Sequence, residues 1–136
     1  MIIILNFLVI LSFCFCPEYK NFEQAIHAIK NGTKDIVISH CSDFSLFPSF
    51  LNHSKAYAVR SMIFQNLFLK NDHNVTLNIA NVLNGSMLES LKLQNNSIGD
   101  NGAAAIGNVL RNSNLTTLDL SWNSIGPDGA KNLQMV

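Results

Sequence analysis

Residues 88–102 read LESLKLQNNSIGDNG, and residues 115–129 read LTTLDLSWNSIGPDG. Laid over one another, Leu88, Leu91, Leu93, Asn96, Ile98, Gly99, Gly102, Ala103 and Ile106 fall on Leu115, Leu118, Leu120, Asn123, Ile125, Gly126, Gly129, Ala130 and Leu133, every pair at the same offset. Self-similarity at a fixed period within the range of roughly 20–50 residues marks a stacked-repeat architecture, in which each unit buries its apolar face only against its neighbours.

The hydrophobic period switches inside each unit. In Leu91-Lys92-Leu93 and Leu118-Asp119-Leu120 apolar and polar residues alternate, which predicts a short strand with one buried face. Beyond Gly99, the residues Ala103, Ile106, Val109 and Leu110 recur at three- and four-residue spacing, the apolar stripe of a helix. Each unit is therefore a strand, a turn and a helix. Successive strands run the same way, so they stack into a parallel sheet with the helices on the other side, and the crossover takes the right-handed form. Pro127 suits the first turn of the second helix, where its missing N–H costs nothing. Gly102 and Gly129 sit inside the helices at a propensity cost of about 1 kcal/mol each, which argues for a packing reason such as a close approach of helix and sheet. Asn96 and Asn123 fall where the chain leaves the sheet. A buried amide at such a turn satisfies backbone groups and bridges to the next coil.

Upstream the pattern decays without vanishing. Val59, Met62 and Phe64 keep the strand spacing one coil before Leu88, Leu91 and Leu93, and Ile79, Val82 and Leu83 continue it as a helical face. Leu67 stands at the asparagine position and lacks the amide. Ile36, Ile38 and Cys41 fit the strand and turn positions of an earlier unit. Phe44, Phe47 and Leu51 form its covering helix, with Pro48 in the first turn. Strands near Ile36, Met62, Leu91 and Leu118 give four coils at nearly even intervals. Before them Phe22, Ala25, Ile26 and Ile29 have helical spacing that Asn31-Gly32 ends.

The pattern L-x-x-L-x-L-x-x-N-x-I-G-x-x-G-A, read from Leu88 and again from Leu115, resembles the leucine-rich repeats of the ribonuclease-inhibitor-like subclass. That subclass is found in the inhibitor itself, in Ran GTPase-activating proteins and in NOD-like receptors. The resemblance covers residues 88–133. It implies an α/β fold, a right-handed solenoid forming a short horseshoe with a parallel sheet on the concave side and helices on the convex side. It also implies that Cys41 substitutes for asparagine at its turn, and that the concave strand face binds a protein. The organisation that follows is residues 1–14 as a leader or first strand, 15–34 as an N-terminal helix or cap, and 35–136 as an array of about four coils, the last incomplete. The final helix lacks a polar capping unit, so the chain reads as a piece of a longer array or as one whose last face pairs with another molecule.

The run MIIILNFLVILSFCFC at residues 1–16 is short of the roughly 20 residues that span a bilayer. It reads as a secretory signal peptide cut before Phe15, although it lacks the usual positive residues ahead of the apolar core. Alternatively, Val9, Leu11 and Cys14, one repeat interval before Ile36, Ile38 and Cys41, form a buried first strand. An uncleaved anchor is the third reading and the only one that implies a membrane. The first favours the secretory pathway or the exterior, and the second a cytoplasmic protein. Six N-x-S/T sequons, at Asn31, Asn52, Asn74, Asn84, Asn95 and Asn114, are compatible with secretion but arise readily in an Asn-rich chain. Cys14, Cys16 and Cys41 are too few for a disulfide framework or a paired zinc site.

Composition narrows the function classes. With 48% hydrophobic residues and nine basic against nine acidic side chains, the chain can build a core but has no basic patch for nucleic acid. His27, His40, His53 and His73 lie on different units with no metal-binding spacing, and His40 and Cys41 point to opposite faces, so neither metal site nor nucleophile is expected. IGDNGAAAIG resembles a phosphate loop only loosely, and its counterpart IGPDGA one coil later is explained by the repeat. No catalytic residue, cofactor, metal or small-molecule substrate is expected. The enzyme-regulator alternative, GTPase activation by analogy with Ran GTPase-activating proteins, requires a positioned arginine, and the chain has only Arg60 and Arg111. A third reading is a truncated repeat segment with no function of its own.

Binding residues follow from the strand period of two. If Leu91 and Leu93 face the core, Ser90, Lys92 and Gln94 face outward, as do Thr117, Asp119 and Ser121 one coil on. Ser61, Ile63 and Gln65, then Asp35, Val37 and Ser39, extend the columns backward. Trp122, just past the last strand, is the one large aromatic beside them. Lys92 and Asp119 share a column roughly 4.8 Å apart and are expected to pair with each other or to contact the protein partner.

Overall fold

The computed structural model describes residues 20–39, 46–67 and 73–134. Among the described residues strands and helices alternate: α1 (Lys20–Lys30), β1 (Asp35–Ser39), α2 (Phe47–Ala56), β2 (Ser61–Gln65), α3 (His73–Leu83), β3 (Ser90–Lys92), α4 (Gly99–Leu110), β4 (Thr117–Asp119) and α5 (Pro127–Gln134). The four strands form one sheet in chain order, every neighbouring pair parallel. Ile36 pairs with Met62, Met62 with Leu91 and Leu91 with Leu118, so the four expected strand centres lie in one row across the sheet.

The starts of β2, β3 and β4 are fixed by a repeated backbone device. The Lys34 carbonyl accepts the N–H groups of Arg60 and Ser61, the Arg60 carbonyl those of Glu89 and Ser90, and the Glu89 carbonyl those of Thr116 and Thr117, at 2.8–3.1 Å. One carbonyl thus holds two successive amides of the next coil, which pins the register before the ladder begins. A slip of one residue would turn every buried strand side chain to solvent.

Inward-facing residues Ile36, Ile38, Met62, Phe64, Leu91 and Leu93 are all buried, together with Phe22, Ala25 and Ile29 from α1, Phe47, Phe50 and Leu51 from α2, Ile79, Val82 and Leu83 from α3 and Ile106 from α4. An aromatic cluster joins the first three helix and strand layers. Phe22 meets Phe47 edge-on at 5.3 Å between centroids, and Phe47 and Phe50 meet Phe64 at 5.8 and 5.9 Å. Such pairs add about 0.5–1.5 kcal/mol each to the burial itself. Phe50 is absent from the apolar face that the sequence suggests, yet it is fully buried. Burial falls off in the last coil. Leu88, Leu91, Leu93 and Ile106 are 0–2% exposed, whereas their counterparts Leu115, Leu118, Leu120 and Leu133 are only partly buried.

Helix ends use local rules. Gly32, at φ +98°, closes α1: its N–H donates to the Ile29 carbonyl and that of Thr33 to the Ala28 carbonyl, the paired bonds of a Schellman cap. Ala58 does the same for α2 at φ +53°, with bonds from Ala58 to Lys55 and from Val59 to Ser54. Pro48 lies in the first turn of α2 as expected. The glycines within the helices have a different explanation from the helix–sheet approach expected of them. A Cβ on Gly129 would lie 2.5 Å from an Asp100 carboxylate oxygen, and one on Gly107 would lie 2.5 Å from the Asn132 carbonyl oxygen. These contacts run between α4 and the coil carrying α5, so it is neighbouring coils, not helix and sheet, that approach closely. At Gly102 a Cβ would first meet the Ile98 side chain of its own coil and then Thr76 of α3, at 3.1 Å.

Asn96 and Asn123 are buried and fully engaged. Asn96 Oδ1 accepts the Leu67 N–H at 2.8 Å while its Nδ2 donates to the carbonyls of Phe64 at 2.8 Å and Gln94 at 3.2 Å. Asn123 Oδ1 accepts the N–H groups of Asn96 and Ile98, and its Nδ2 donates to the carbonyls of Leu93, Leu120 and Ser121. Both side chains therefore reach back to the preceding coil, where the sequence suggests a bridge to the following one. Leu67 keeps a satisfied turn because its N–H is served by Asn96, and its own side chain adds to the core. The proposed turn residue Cys41, residues 1–14 and their alternative readings, Cys16, Phe44 and His40 lie outside the described residues. No described helix is long and apolar enough to cross a membrane.

Candidate partner-binding face

The outward columns of the sheet are continuous. Asp35, Ser61, Ser90 and Thr117 form one row, and Val37, Ile63, Lys92 and Asp119 the next. Ser61, Ile63, Ser90, Lys92 and Asp119 are half-buried and Thr117 is exposed, as expected for side chains standing between neighbours on an open sheet face. Gln94 is half-buried and Ser121 exposed, one step beyond the strands. All seven candidate residues, Ser90, Lys92, Gln94, Thr117, Asp119, Ser121 and Trp122, thus lie on β3 and β4 or on the turns that leave them.

Polar bonding across this face differs from the expected Lys92–Asp119 pair. Among the described residues, ion pairs join Arg60 Nη1 to Glu89 Oε1 at 3.3 Å and Lys131 to Asp128 at 3.4 Å; Lys92 and Asp119 are not within that range. Asp119 instead takes the Ser121 N–H on Oδ1 at 3.0 Å and the Gln94 amide on Oδ2 at 2.5 Å. The Ser121 N–H, then the Ser121 hydroxyl and the Gln94 amide, hold the Asp119 carboxyl below the usual carboxylate range, with Lys92 adding a smaller attraction. Shared column position brings Cβ atoms close, but the Gln94 amide reaches diagonally to the carboxylate, and the Ser121 amide comes to it through the turn.

Gln94 also accepts a bond from Gln65 Nε2 at 2.8 Å, so amide donors run from Gln65 through Gln94 to Asp119. Beside this row Asn95 Nδ2 donates to Asn66 Oδ1. The doublet Gln65-Asn66 recurs one coil later as Gln94-Asn95, a signal of these rungs that reading strand by strand passes over. Asn66, Asn95 and Trp122 occupy equivalent turn positions with φ of 54°, 55° and 60°. Trp122 is 84% exposed.

The described residues contain no group of three or more His, Cys, Asp or Glu side chains arranged to hold a metal ion. His53 bonds the Ser49 carbonyl through Nδ1 at 2.7 Å and stacks on Tyr57, a role local to α2. Arg60 is engaged with Glu89 rather than projecting alone.

Compared with known proteins, residues 86–107 and 111–133 each match a family model described as a Leucine Rich repeat. No curated protein and no solved structure matches the chain.

Proposed function

The chain carries leucine-rich repeats, and from that premise we propose that it is a non-enzymatic module that binds another protein through the outward strand face of its array. The observation that carries this reading is the alignment of outward positions in register across four strands, polar throughout in the row of Asp35, Ser61, Ser90 and Thr117 and polar on β3 and β4 in the row of Val37, Ile63, Lys92 and Asp119. Over β3 and β4 this face offers hydrogen-bonding groups, and its recognition is written where the repeats differ: Ser90, Lys92 and Gln94 against Thr117, Asp119 and Ser121. Trp122 supplies the aromatic anchor that such interfaces concentrate their binding energy on.

Within the repeat families the reading favours the ribonuclease-inhibitor-like subclass. Its support is the long coil, in which a helix of 10–12 residues follows each of the first three strands. The test is affinity capture with the intact chain beside a Lys92→Ala, Asp119→Ala, Trp122→Ala triple variant. The variant is expected to lose the specific partners, and an unchanged set of partners refutes the face.

A further inference from the structure

The turn after β4 departs from its two predecessors. Where they place Asn66 and Asn95, it places Trp122, with a backbone φ of +60°. Asparagine tolerates the left-handed region because its short polar side chain bonds locally, but a bulky aromatic residue there is an outlier. Trp122 is 84% exposed, so its ring buries little surface to offset the strain. Strain retained without a folding benefit clusters at ligand clamps.

A second observation lies beside it. The amide row from Gln65 through Gln94 delivers its donors in one direction and ends on the Asp119 carboxylate. Ser121 N–H binds the same carboxylate and folds the chain directly into Trp122. Asp119 has no ion-pair partner among the described residues. Its two oxygens offer about four acceptor positions, so the donors already in place leave room for another. The negative end of the amide row and the exposed Trp122 therefore lie on one short stretch of chain, the end of β4 and the turn that leaves it.

We infer that Trp122 and Asp119 together receive an arginine side chain of the partner protein, the guanidinium stacking on the indole while one of its N–H groups donates to the carboxylate. The chemistry fits both halves of the group. A planar, weakly hydrated cation stacks on an aromatic face, and an N–H at its edge makes a charge-assisted hydrogen bond to the carboxylate. A lysine ammonium is a compact, strongly hydrated point charge and does not stack as a plane. The inference rests on the strand-face reading above and names the chemistry that the face selects.

Trp122 is the single tryptophan of the chain, so intrinsic tryptophan fluorescence reports this turn alone. The intact chain is panned against displayed random heptapeptides, in parallel with the Trp122→Ala variant. Peptides enriched in arginine on the intact chain and not on the variant are expected. A selected peptide should perturb Trp122 emission and bind Asp119→Asn about tenfold more weakly, the scale of a charge-assisted hydrogen bond. Replacing its arginine by citrulline should cost a similar factor. Absence of arginine enrichment, or selected peptides that leave the emission unchanged, overturns the inference. So does a Trp122 blue shift with phosphatidylcholine vesicles but no selected peptide, which reassigns the turn to a membrane surface. Peptides whose binding depends on Lys92→Ala or Gln94→Ala but not on Trp122 overturn the arginine site alone and leave the strand-face reading standing. Indifference to all four positions overturns both. The Trp122→Asn variant, carrying the residue of the two earlier coils, is expected to melt no lower than the parent, which separates lost binding from lost folding.

Discussion

Replacing Asn96 by alanine removes three hydrogen bonds at a site with 0% exposure. Two of the groups released, the Leu67 N–H and the Phe64 carbonyl, belong to the preceding coil, where no water reaches in to replace the amide. A buried backbone group left without a partner costs about 1–3 kcal/mol, so the pair costs about 2–6 kcal/mol. That is a large share of the roughly 5–15 kcal/mol that holds a domain folded. With a urea dependence of about 2 kcal/mol per molar, the unfolding midpoint followed by far-UV circular dichroism should fall by about 1–3 M. Asn108→Ala, on the exposed side of α4, is the control and should stay within about 0.5 kcal/mol of the parent. Asn96→Asp sharpens the result. An ionised carboxylate can accept from Leu67 but cannot donate to Phe64 or Gln94, whereas a protonated one can do both, so folding raises the carboxyl pKa above its unfolded value near 3.9. The variant's stability should then be fullest below about pH 4 and decline as the pH rises through the raised folded value. A loss under about 1 kcal/mol for Asn96→Ala, or a pH-independent Asn96→Asp, refutes the argument that this amide stitches the coils.

Three further outcomes are expected. Ala58 occupies the left-handed position of the α2 cap at φ +53°, where a Cβ costs about 1–2 kcal/mol; Ala58→Gly should stabilise by about 0.5–1 kcal/mol after the extra chain entropy of glycine, seen as a higher melting temperature. Gly107→Ala places a methyl 2.5 Å from the Asn132 carbonyl oxygen. It should force α4 and α5 apart at a cost of about 1–3 kcal/mol, with hydrogen-exchange protection lost first in α5. Asp119 is held below the usual carboxylate range by Ser121 and Gln94, so its contribution is complete above the unfolded pKa near 3.9 and is lost as the pH falls through the lower folded value. The stability difference between the parent and Asp119→Asn should therefore be present at neutral pH and close under acid, and a gap of constant size down to the acid limit speaks against these bonds.

Much of this architecture is legible in residue spacing alone, because strand and helix impose different periods and the repeat shows both twice. Leu91 and Leu118 identify their own strands, and the same spacing recovers Ile36 and Met62, where other apolar residues stand in place of the leucines. What escapes the spacing has particular causes. Phe50 lies on a helix whose apolar stripe, drawn from Phe44 and Phe47, rotates the buried face away from it. The Lys92–Asp119 pairing fails because column neighbours compete with diagonal and local partners that a one-dimensional alignment does not rank. The glycines signal a close approach correctly, but nothing in their positions says which surface approaches. At the candidate site, the outward columns follow from alternation. The left-handed backbone at Trp122 is open to inference only by aligning it with Asn66 and Asn95.

The backward reach of the asparagines gives the array a direction in time as well as in space. A chain emerges from the ribosome from its N-terminus, so the turn after β2 must wait for Asn96 and the turn after β3 for Asn123 before its backbone groups are met. The coils of β2 and β3 are each latched by their successor. During synthesis the growing end therefore always consists of one coil that has shape but is not yet locked, and under a pulling force or rising denaturant the latches should release in the reverse order, beginning at β4.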